Sequence, residues 1–161
     1  MKEIKLTQGK FAVVDDNIYE ELNQYKWHVS KNYNTFYAVR NEGKFPHQKK
    51  IRMHRLIMGV TDEKIQIDHK YGNGLDNRKE NLRICTSAEN QRNKKPQIGR
   101  TSKFKGVYFS KPKNKWRARI GINSKLTHLG YFTNEVEAAK TYDKAAKIHF
   151  KEFANLNFKI T

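Results

Sequence analysis

Two adjacent side chains in the middle of this sequence, Asp68 and His69, have the chemistry that hydrolysis of a phosphodiester bond requires. An imidazole has an unperturbed pKa near physiological pH, so His69 is suited to take the proton of an attacking water. Asp68, with Asn90 further along the chain, offers hard oxygen donors that suit Mg²⁺ or Mn²⁺ and suit zinc poorly. On spacing alone, a purely structural hairpin in which Asp68, Asn77 and Asn81 satisfy backbone groups is the favoured interpretation.

The sequence around these residues predicts a strand, a polar loop, a second strand and a helix. Alternation about Asp68 indicates the first strand, and the Gly-Asn-Gly of residues 72–74 turns the chain. Residues 81–86 form the second predicted strand, and Ser87 is a good N-cap for a helix that contains Asn90. This unit would bring a carboxylate and an imidazole from one strand against an amide from the helix.

The charge of the chain points to a polyanionic partner. Its 161 residues include 33 Lys and Arg against 16 Asp and Glu, a formal net charge of +17. Residues 90–134 contain twelve Lys or Arg and no acid, which indicates contact with nucleic acid rather than simple solubility. At 37% hydrophobic and 12% aromatic residues, the chain is too apolar for a disordered basic tail.

Other sequence features exclude several classes of protein. The chain has no apolar run long enough for a transmembrane helix and no apolar segment after Met1 that would direct secretion. Cys85 is the single cysteine, so an internal disulfide framework and a cysteine-rich zinc site are both excluded. We therefore expect a soluble, cytoplasmic protein without a membrane partner.

The last third of the chain predicts three strands followed by a helix. On the middle strand, Lys115, Arg117 and Arg119 alternate with apolar residues, which places these bases on one face of a sheet. A basic sheet face backed by a helix is able to enter the major groove of duplex DNA. The expected strands are residues 106–110, 115–122 and 127–132, and the expected helix is residues 135–150, capped by Thr133 or Asn134.

The middle of the chain carries a specific order of motifs. In sequence these are His54-Arg55, Ile67-Asp68-His69, Gly72-Asn73, Leu75-Asp76-Asn77-Arg78, Glu80-Asn81-Leu82-Arg83 and the helix from Ser87 to Asn93. This stretch resembles the HNH endonucleases of the His-Me finger, or ββα-metal, type that phages and mobile introns carry. The resemblance implies an α+β fold whose nuclease module has the ββα-metal architecture.

The same resemblance implies roles for individual residues. His69 would be the general base, and Asn81 would be a structural amide that braces the loop and helps to hold His69. Asp68 and Asn90 would ligate one divalent ion, Mg²⁺ or Mn²⁺. Arg55 would contact DNA or support the site, and a capping or core role for His54 and Arg55 is the alternative. Many members of the family carry two Cys-x-x-Cys zinc pairs, but with Cys85 alone no structural zinc is expected.

A second set of motifs lies in the basic last third. It comprises Lys105-Gly106-Val107-Tyr108, Lys115-Trp116-Arg117-Ala118-Arg119-Ile120, His128-Leu129-Gly130-Tyr131-Phe132, Glu137-Ala138-Ala139, Ala145-Ala146 and Ala154-Asn155-Leu156-Asn157-Phe158. This module resembles the plant ethylene-response-factor, or Apetala-type, DNA-binding domain, a three-stranded antiparallel sheet packed on one helix. His128 stands where the plant domain has Trp, so its base preference is not carried over. The DNA contacts that the resemblance implies are Lys103, Lys105, Tyr108, Lys115, Trp116, Arg117, Arg119 and His128.

The sequence as a whole thus predicts a phage-encoded endonuclease of the homing or nicking type that acts on double-stranded DNA as a monomer or weak dimer in the cytoplasm of a bacterial host. A non-catalytic, sequence-specific DNA-binding protein or regulator is the alternative, and a structure-specific RNA nuclease is a third possibility. The predicted division is a β-rich segment at residues 1–50 that packs on the nuclease, a nuclease module at 51–95, a basic linker at 96–102 and the DNA-binding domain at 103–161.

Overall fold

The computed structural model describes residues 1–32, 35–94 and 101–158. The chain divides into two compact units, Met1–Asn90 and Gln91–Thr161. Of the expected linker, residues 96–100 lie outside the described residues. Both units combine helices with antiparallel sheets. Within the described part of the chain, no helix is long and apolar enough to cross a membrane.

The first unit begins with two small sheets that share one core. A hairpin of the first two strands precedes a short helix, and the next three strands then form a three-stranded sheet whose central strand is the second of the three. Ile4, Val14 and Trp27 are buried in the core between them, and the Trp27 indole donates to the carbonyl of Leu22 at 2.8 Å. The elements are β1 (Lys2–Lys5), β2 (Phe11–Val14), α1 (Asp16–Asn23), β3 (His28–Asn32), β4 (Thr35–Glu42), β5 (Lys49–Arg52) and α2 (Met53–Ile57).

The strand–loop–strand–helix prediction for the centre of the chain is confirmed. The strands β6 (Gln66–His69) and β7 (Leu82–Cys85) pair antiparallel, and the helix α3 (Ser87–Asn93) follows. The second strand is one residue shorter at each end than expected. Cys85 is buried, and burial raises the pKa of its thiol to about 11, which suits a packing role.

The loop between β6 and β7 is joined to the N-terminal hairpin. The Val13 amide donates to the carbonyl of Leu75 at 2.9 Å, and the Asn77 amide donates to the carbonyl of Val13 at 2.8 Å. The Lys79 amide donates to Oδ2 of Asp15 at 2.8 Å. A continuous set of hydrogen bonds therefore ties this loop to β2 and to the turn that follows it.

The second unit is a three-stranded sheet with a helix on one face. The strands are β8 (Val107–Ser110), β9 (Lys115–Ile122) and β10 (Lys125–Phe132), in the order β10-β9-β8. The helix α4 (Glu135–Phe150) has the predicted bounds, and Asn134 caps it by accepting from the amide of Val136 at 2.7 Å. Its buried stripe of Ala139, Tyr142 and Ala146 packs on the apolar face of β9. The third strand begins two residues earlier than expected.

Candidate active site and nucleic-acid interface

The register of the β6–β7 hairpin determines which way the candidate catalytic side chains point. Asp68 lies opposite Arg83, and His69 lies opposite Leu82. Because side chains alternate along a strand, Asp68 shares one face of β6 with Gln66, and His69 lies on the other. Both Asp68 and His69 are about 6% exposed. The two candidates are therefore adjacent in sequence but occupy different surroundings.

The imidazole of His69 is enclosed by two other rings and one amide. Its centroid lies 5.1 Å from that of His54 and 5.8 Å from that of Tyr37. Its Nε2 is 3.5 Å from Oδ1 of Asn77, a contact that favours the tautomer with hydrogen on Nε2 and the lone pair on Nδ1. Burial lowers the pKa of His69, and Asn77 and the charges of Asp68 and Asp76 oppose this shift. A neutral imidazole with a basic Nδ1 is the form that a general base needs.

His54 is as deeply buried as His69, at about 6% exposure. Burial, together with the charges of His69, Arg52 and Arg55, lowers the pKa of His54 to about 3. Its Nδ1 is buried and has no hydrogen-bond partner among the described residues. His54 is thus neutral under ordinary conditions and adds no positive charge beside His69.

Two buried amides hold the loop that follows His69. Asn81 is fully buried, its Nδ2 donates to the carbonyl of Asp76 at 2.7 Å, and its Oδ1 accepts from the amide of Tyr71 at 3.1 Å. Asn77 is also fully buried, and its Nδ2 donates to the carbonyl of Leu75 at 3.1 Å. Asn81 thus connects both ends of the loop, whereas the side chain that contacts His69 is that of Asn77. The sequence favoured a turn-stabilising role for Asn77 over contact with the metal ion.

The candidate metal ligands are Asp68 on β6 and Asn90 on α3, the helix that lies against the same face of the strand. Arg83 binds Oδ2 of Asp68 through Nε at 3.0 Å and Nη2 at 2.7 Å. On the same face, Gln66 accepts from Nδ2 of Asn90 at 2.8 Å, so α3 crosses over the strand face that carries Asp68. A carboxylate and a carboxamide oxygen are hard donors, and Mg²⁺ is commonly held by one or two protein oxygens together with substrate phosphates. The donor chemistry of Asp68 and Asn90 therefore fits a magnesium or manganese ion.

A metal site built wholly from ionisable side chains is absent from the described part of the chain, where no three His, Cys, Asp or Glu residues cluster suitably.

Arg55, an expected DNA contact, donates to the carbonyls of Ile65 at 2.9 Å and Asp62 at 2.5 Å. These bonds give Arg55 a structural role in the segment between α2 and β6. DNA contact by Arg55 stays a prediction.

The predicted basic face of the second unit is present. Arg117 lies opposite Tyr108 on β8 and Tyr131 on β10, and Arg119 lies opposite His128. The Arg119 guanidinium stacks 4.0 Å from the centroid of the Tyr108 ring. The Arg117 Nε lies 3.3 Å from Nδ1 of His128. Together with exposed Lys115, these residues make a cationic and aromatic surface on the side of the sheet opposite α4, which we call the outer face.

Three other expected DNA contacts are engaged within the unit. Trp116 lies on the α4 side of the sheet, packs on the core and meets Phe109 edge to face at 5.1 Å between centroids. Lys105 donates to the carbonyls of Arg92 and Lys94, and burial lowers the pKa of its ammonium to about 8. The Lys103 ammonium lies 5.3 Å from the Phe104 ring centroid. Strand alternation alone already separates Trp116 from Arg117, a signal that argues against Trp116 as an outer-face contact.

Sequence reasoning missed Tyr37 as a member of the site. Tyr37 lies on β4, and no local pattern links it to His69, because their contact joins distant parts of the chain. Gly74 marks the approach of the loop to this strand, since a Cβ at Gly74 would meet the Phe36 carbonyl oxygen at 2.5 Å and the Tyr37 ring at 2.8 Å. A glycine at a close approach is a detectable signal, although it does not identify the partner.

Comparison with known proteins finds a family match over the elements that carry His69. Residues 52–92, which include α2, β6, β7 and most of α3, match the family model described as HNH endonuclease. The chain is 29% identical over 156 residues to a protein named as an uncharacterized HNH endonuclease of Acanthamoeba polyphaga mimivirus, covering 93% of this chain and 76% of that relative. It is 32% identical over 97 residues to Protein 3.8 of Escherichia phage T7, covering 60% of this chain and 74% of that relative.

A different group of relatives matches a shorter stretch. APETALA2-like protein 2 of Oryza sativa subsp. indica is 48% identical over 48 residues, which cover 29% of this chain and 11% of that relative. The chain therefore spans about a tenth of the plant protein. The family model, by contrast, matches residues 52–92, which include His69, and the mimivirus match extends over both units. On this combined ground residues 52–92 form an HNH endonuclease domain, and the chain is a nuclease.

Proposed function

We propose that this HNH endonuclease hydrolyses phosphodiester bonds of duplex DNA with His69 as the general base and with one divalent ion held by Asp68 and Asn90. The observation that carries the proposal is the state of His69. It is buried beside two rings, its pKa is lowered by burial, and Asn77 receives its Nε2 hydrogen. These features keep the imidazole neutral and leave Nδ1 as the proton acceptor.

In the proposed reaction, Nδ1 of His69 takes a proton from water while the water oxygen forms a bond to phosphorus. The bond from phosphorus to the leaving oxygen breaks, and the negative charge develops on that oxygen. A bound Mg²⁺ or Mn²⁺ would supply electrostatic stabilisation of this charge. Asn77 orients the imidazole through Nε2, and Asn81 keeps the following loop in place.

The second unit is proposed to be a DNA-binding domain of the ethylene-response-factor type. The order of its strands, the helix packed behind them and the short plant match support this assignment. Its outer face carries Arg117, Arg119 and Lys115, and this face would lie in the major groove. Such a domain would increase affinity and contribute to the choice of target.

The proposal also covers the division of the chain into modules, the type of cut and the origin of the enzyme. The nuclease module at residues 51–95 has the ββα-metal arrangement, with residues 1–50 packed on its loop, and residues 103–161 form the DNA-binding domain. A monomer with one site would cut one strand, so we propose a nicking or homing-type enzyme encoded by a phage and active in the cytoplasm of its host. The matches to viral and phage proteins support this origin.

Cleavage of supercoiled plasmid and of phage genomic DNA in Mg²⁺, Mn²⁺ or EDTA tests the proposal. Wild-type protein should produce nicked circles with either ion and none in EDTA. The His69→Ala variant should lose about 10²–10⁴-fold in rate, as is typical when a general base is removed, and should bind DNA normally. His149→Ala, at an exposed histidine on α4, is the matched control and should cleave at the wild-type rate.

Equal rates for His69→Ala and wild type would refute the assignment of the base. Binding without cleavage by the wild-type protein would instead indicate a DNA-binding regulator. Preferential cleavage of duplex RNA at matched salt would identify an RNA nuclease.

A further inference from the structure

The three-stranded sheet of the first unit has two different faces. Phe36 and Ala38 on β4 pack against the core of the unit, and so does Ile51 on β5. Arg40, which pairs with Ile51, stacks on the Tyr25 ring at 4.1 Å to the centroid. The even-numbered side chains of β4 and the odd-numbered side chains of β5 therefore share the core face of this sheet.

The opposite face is the one that contacts the catalytic histidine. Tyr37 lies on this face, and its ring centroid is 5.8 Å from that of His69. Asn41 pairs with Lys50, and Val39 pairs with Arg52. Directly opposed residues in an antiparallel pair project to the same side, so Lys50 and Arg52 lie on the face of Tyr37 and His69.

Both of these basic side chains are available to a ligand. Lys50 and Arg52 are exposed, and neither takes part in an ion pair within the described residues. The charge of Arg52 contributes to the lowered pKa of His54, which is in ring contact with His69. The charge of Arg52 on β5 therefore lies close enough to affect the pKa of His54, the neighbour of His69.

We propose that Lys50 and Arg52 form a phosphate-binding stripe of the nuclease unit that holds the DNA backbone as it reaches His69. The β-strand spacing of the stripe and its common face with Tyr37 favour a backbone contact, and two exposed cations with no acidic partner suit phosphate better than a base edge. This inference rests on the proposed function, because it concerns the DNA that His69 would cleave. It assigns a second DNA contact, separate from the outer face of the other unit.

The chain offers a matched control on the same strand. Lys49 is also exposed, but it pairs with Glu42 and lies on the core face with Ile51. The variants Lys50→Gln and Lys49→Gln make the same change of charge and size at neighbouring positions. If only net charge mattered, both variants would weaken DNA binding equally. If the proposed stripe binds phosphate, only Lys50→Gln should weaken it.

The test is a salt titration of binding by the full chain to a short duplex in EDTA. Each phosphate contact in B-DNA contributes about 0.9 to the slope of log K against log[salt]. Lys50→Gln and Arg52→Gln should each flatten the slope by about 0.9, and the double variant by about 1.8. Lys49→Gln should retain the wild-type slope. In Mg²⁺, the double variant should also cleave with a raised KM.

The proposal would be wrong if the double variant kept the wild-type slope of log K against log[salt]. It would also be wrong if Lys49→Gln and Lys50→Gln flattened that slope equally. Circular dichroism checks that each variant is folded, and Lys50→Gln stands as the second variant should Arg52→Gln disturb the start of α2. Binding in EDTA does not depend on cleavage. A failure of the proposed nuclease activity would therefore appear in the plasmid assay and leave the slope as an independent result.

Discussion

The imidazoles of His54 and His69 lie edge to face, with centroids 5.1 Å apart and ring planes at 85°. His54 comes from α2 and His69 from β6, and the Tyr37 ring on β4 approaches both, at 5.5 Å and 5.8 Å. Burial disfavours a proton on either imidazole, and a protonated His69 would further disfavour a proton on His54. The arrangement keeps the candidate base neutral although the charges of Asp68 and Asp76 favour its protonation.

The buried state of His54 predicts how stability depends on pH. Its folded-state pKa of about 3 is below the ordinary value of 6.5, so the unfolded chain takes up the proton first. The contribution of His54 to the free energy of unfolding should be largest above pH 6.5. Below pH 6.5 this contribution should fall by at most about 1.4 kcal/mol per pH unit. His54→Gln should flatten this dependence in urea unfolding followed by Trp27 fluorescence in a Trp116→Phe background. Parallel pH profiles for variant and parent would contradict the prediction.

The Mg²⁺ dependence of cleavage should show which of two buried, arginine-paired carboxylates binds the metal ion. Asp68 is paired with Arg83, and Asp76 with Arg78 through Oδ2 at 2.8 Å. Asp68→Asn should raise the Mg²⁺ concentration needed for half-maximal cleavage by at least the roughly 10–100-fold that loss of an outer-shell partner costs. Asp76→Asn should lose stability but keep the metal midpoint. Identical shifts in the two variants would place the ion elsewhere.

The outer face of the second unit should supply salt-dependent affinity. If both guanidiniums touch phosphate, Arg117→Gln with Arg119→Gln should flatten the slope of log K against log[salt] by about 1.8. Lys140→Gln with Lys144→Gln removes the same charge from exposed positions on α4, behind the sheet, and should change the slope little. If one arginine reads a base edge instead, its loss should cost about 1–3 kcal/mol and relax sequence preference. Equal slopes for both pairs would mean that the outer face is only solvated.

Gly106 should be required for packing in the second unit. Its φ is +77°, and a Cβ there would collide with the Tyr142 ring. Gly106→Ala should reduce the free energy of unfolding by about 1–3 kcal/mol through overpacking, with a further ~1–2 kcal/mol from the positive φ. Gly121→Ala on β9, where nothing lies within 4 Å, is the control. Urea unfolding followed by Trp116 fluorescence measures both, and similar losses would contradict the packing argument.

The elements of the second unit could be predicted closely from the sequence. The alternation of Lys115, Arg117 and Arg119 with apolar residues gave the bounds of β9, and the capping residue Asn134 marked the start of α4. These signals are local, since strand and helix periods repeat within a few residues. The inward orientation of Lys105 was not predictable, because its acceptors are carbonyls at the end of α3 that no periodicity brings near it.

What the sequence by itself determined in the candidate site is the set of groups that are close along the chain: Asp68 beside His69, the polar loop after them, and Asn90 on the following helix. Only the tertiary structure decided that Tyr37 and His54 enclose His69, that Asn77 is the amide in contact with it, and that Arg83 pairs with Asp68. The physical reason is that strand register and desolvation arise from contacts between distant segments. The sequence therefore identifies the imidazole of His69, but the lowering of its pKa depends on burial in the fold.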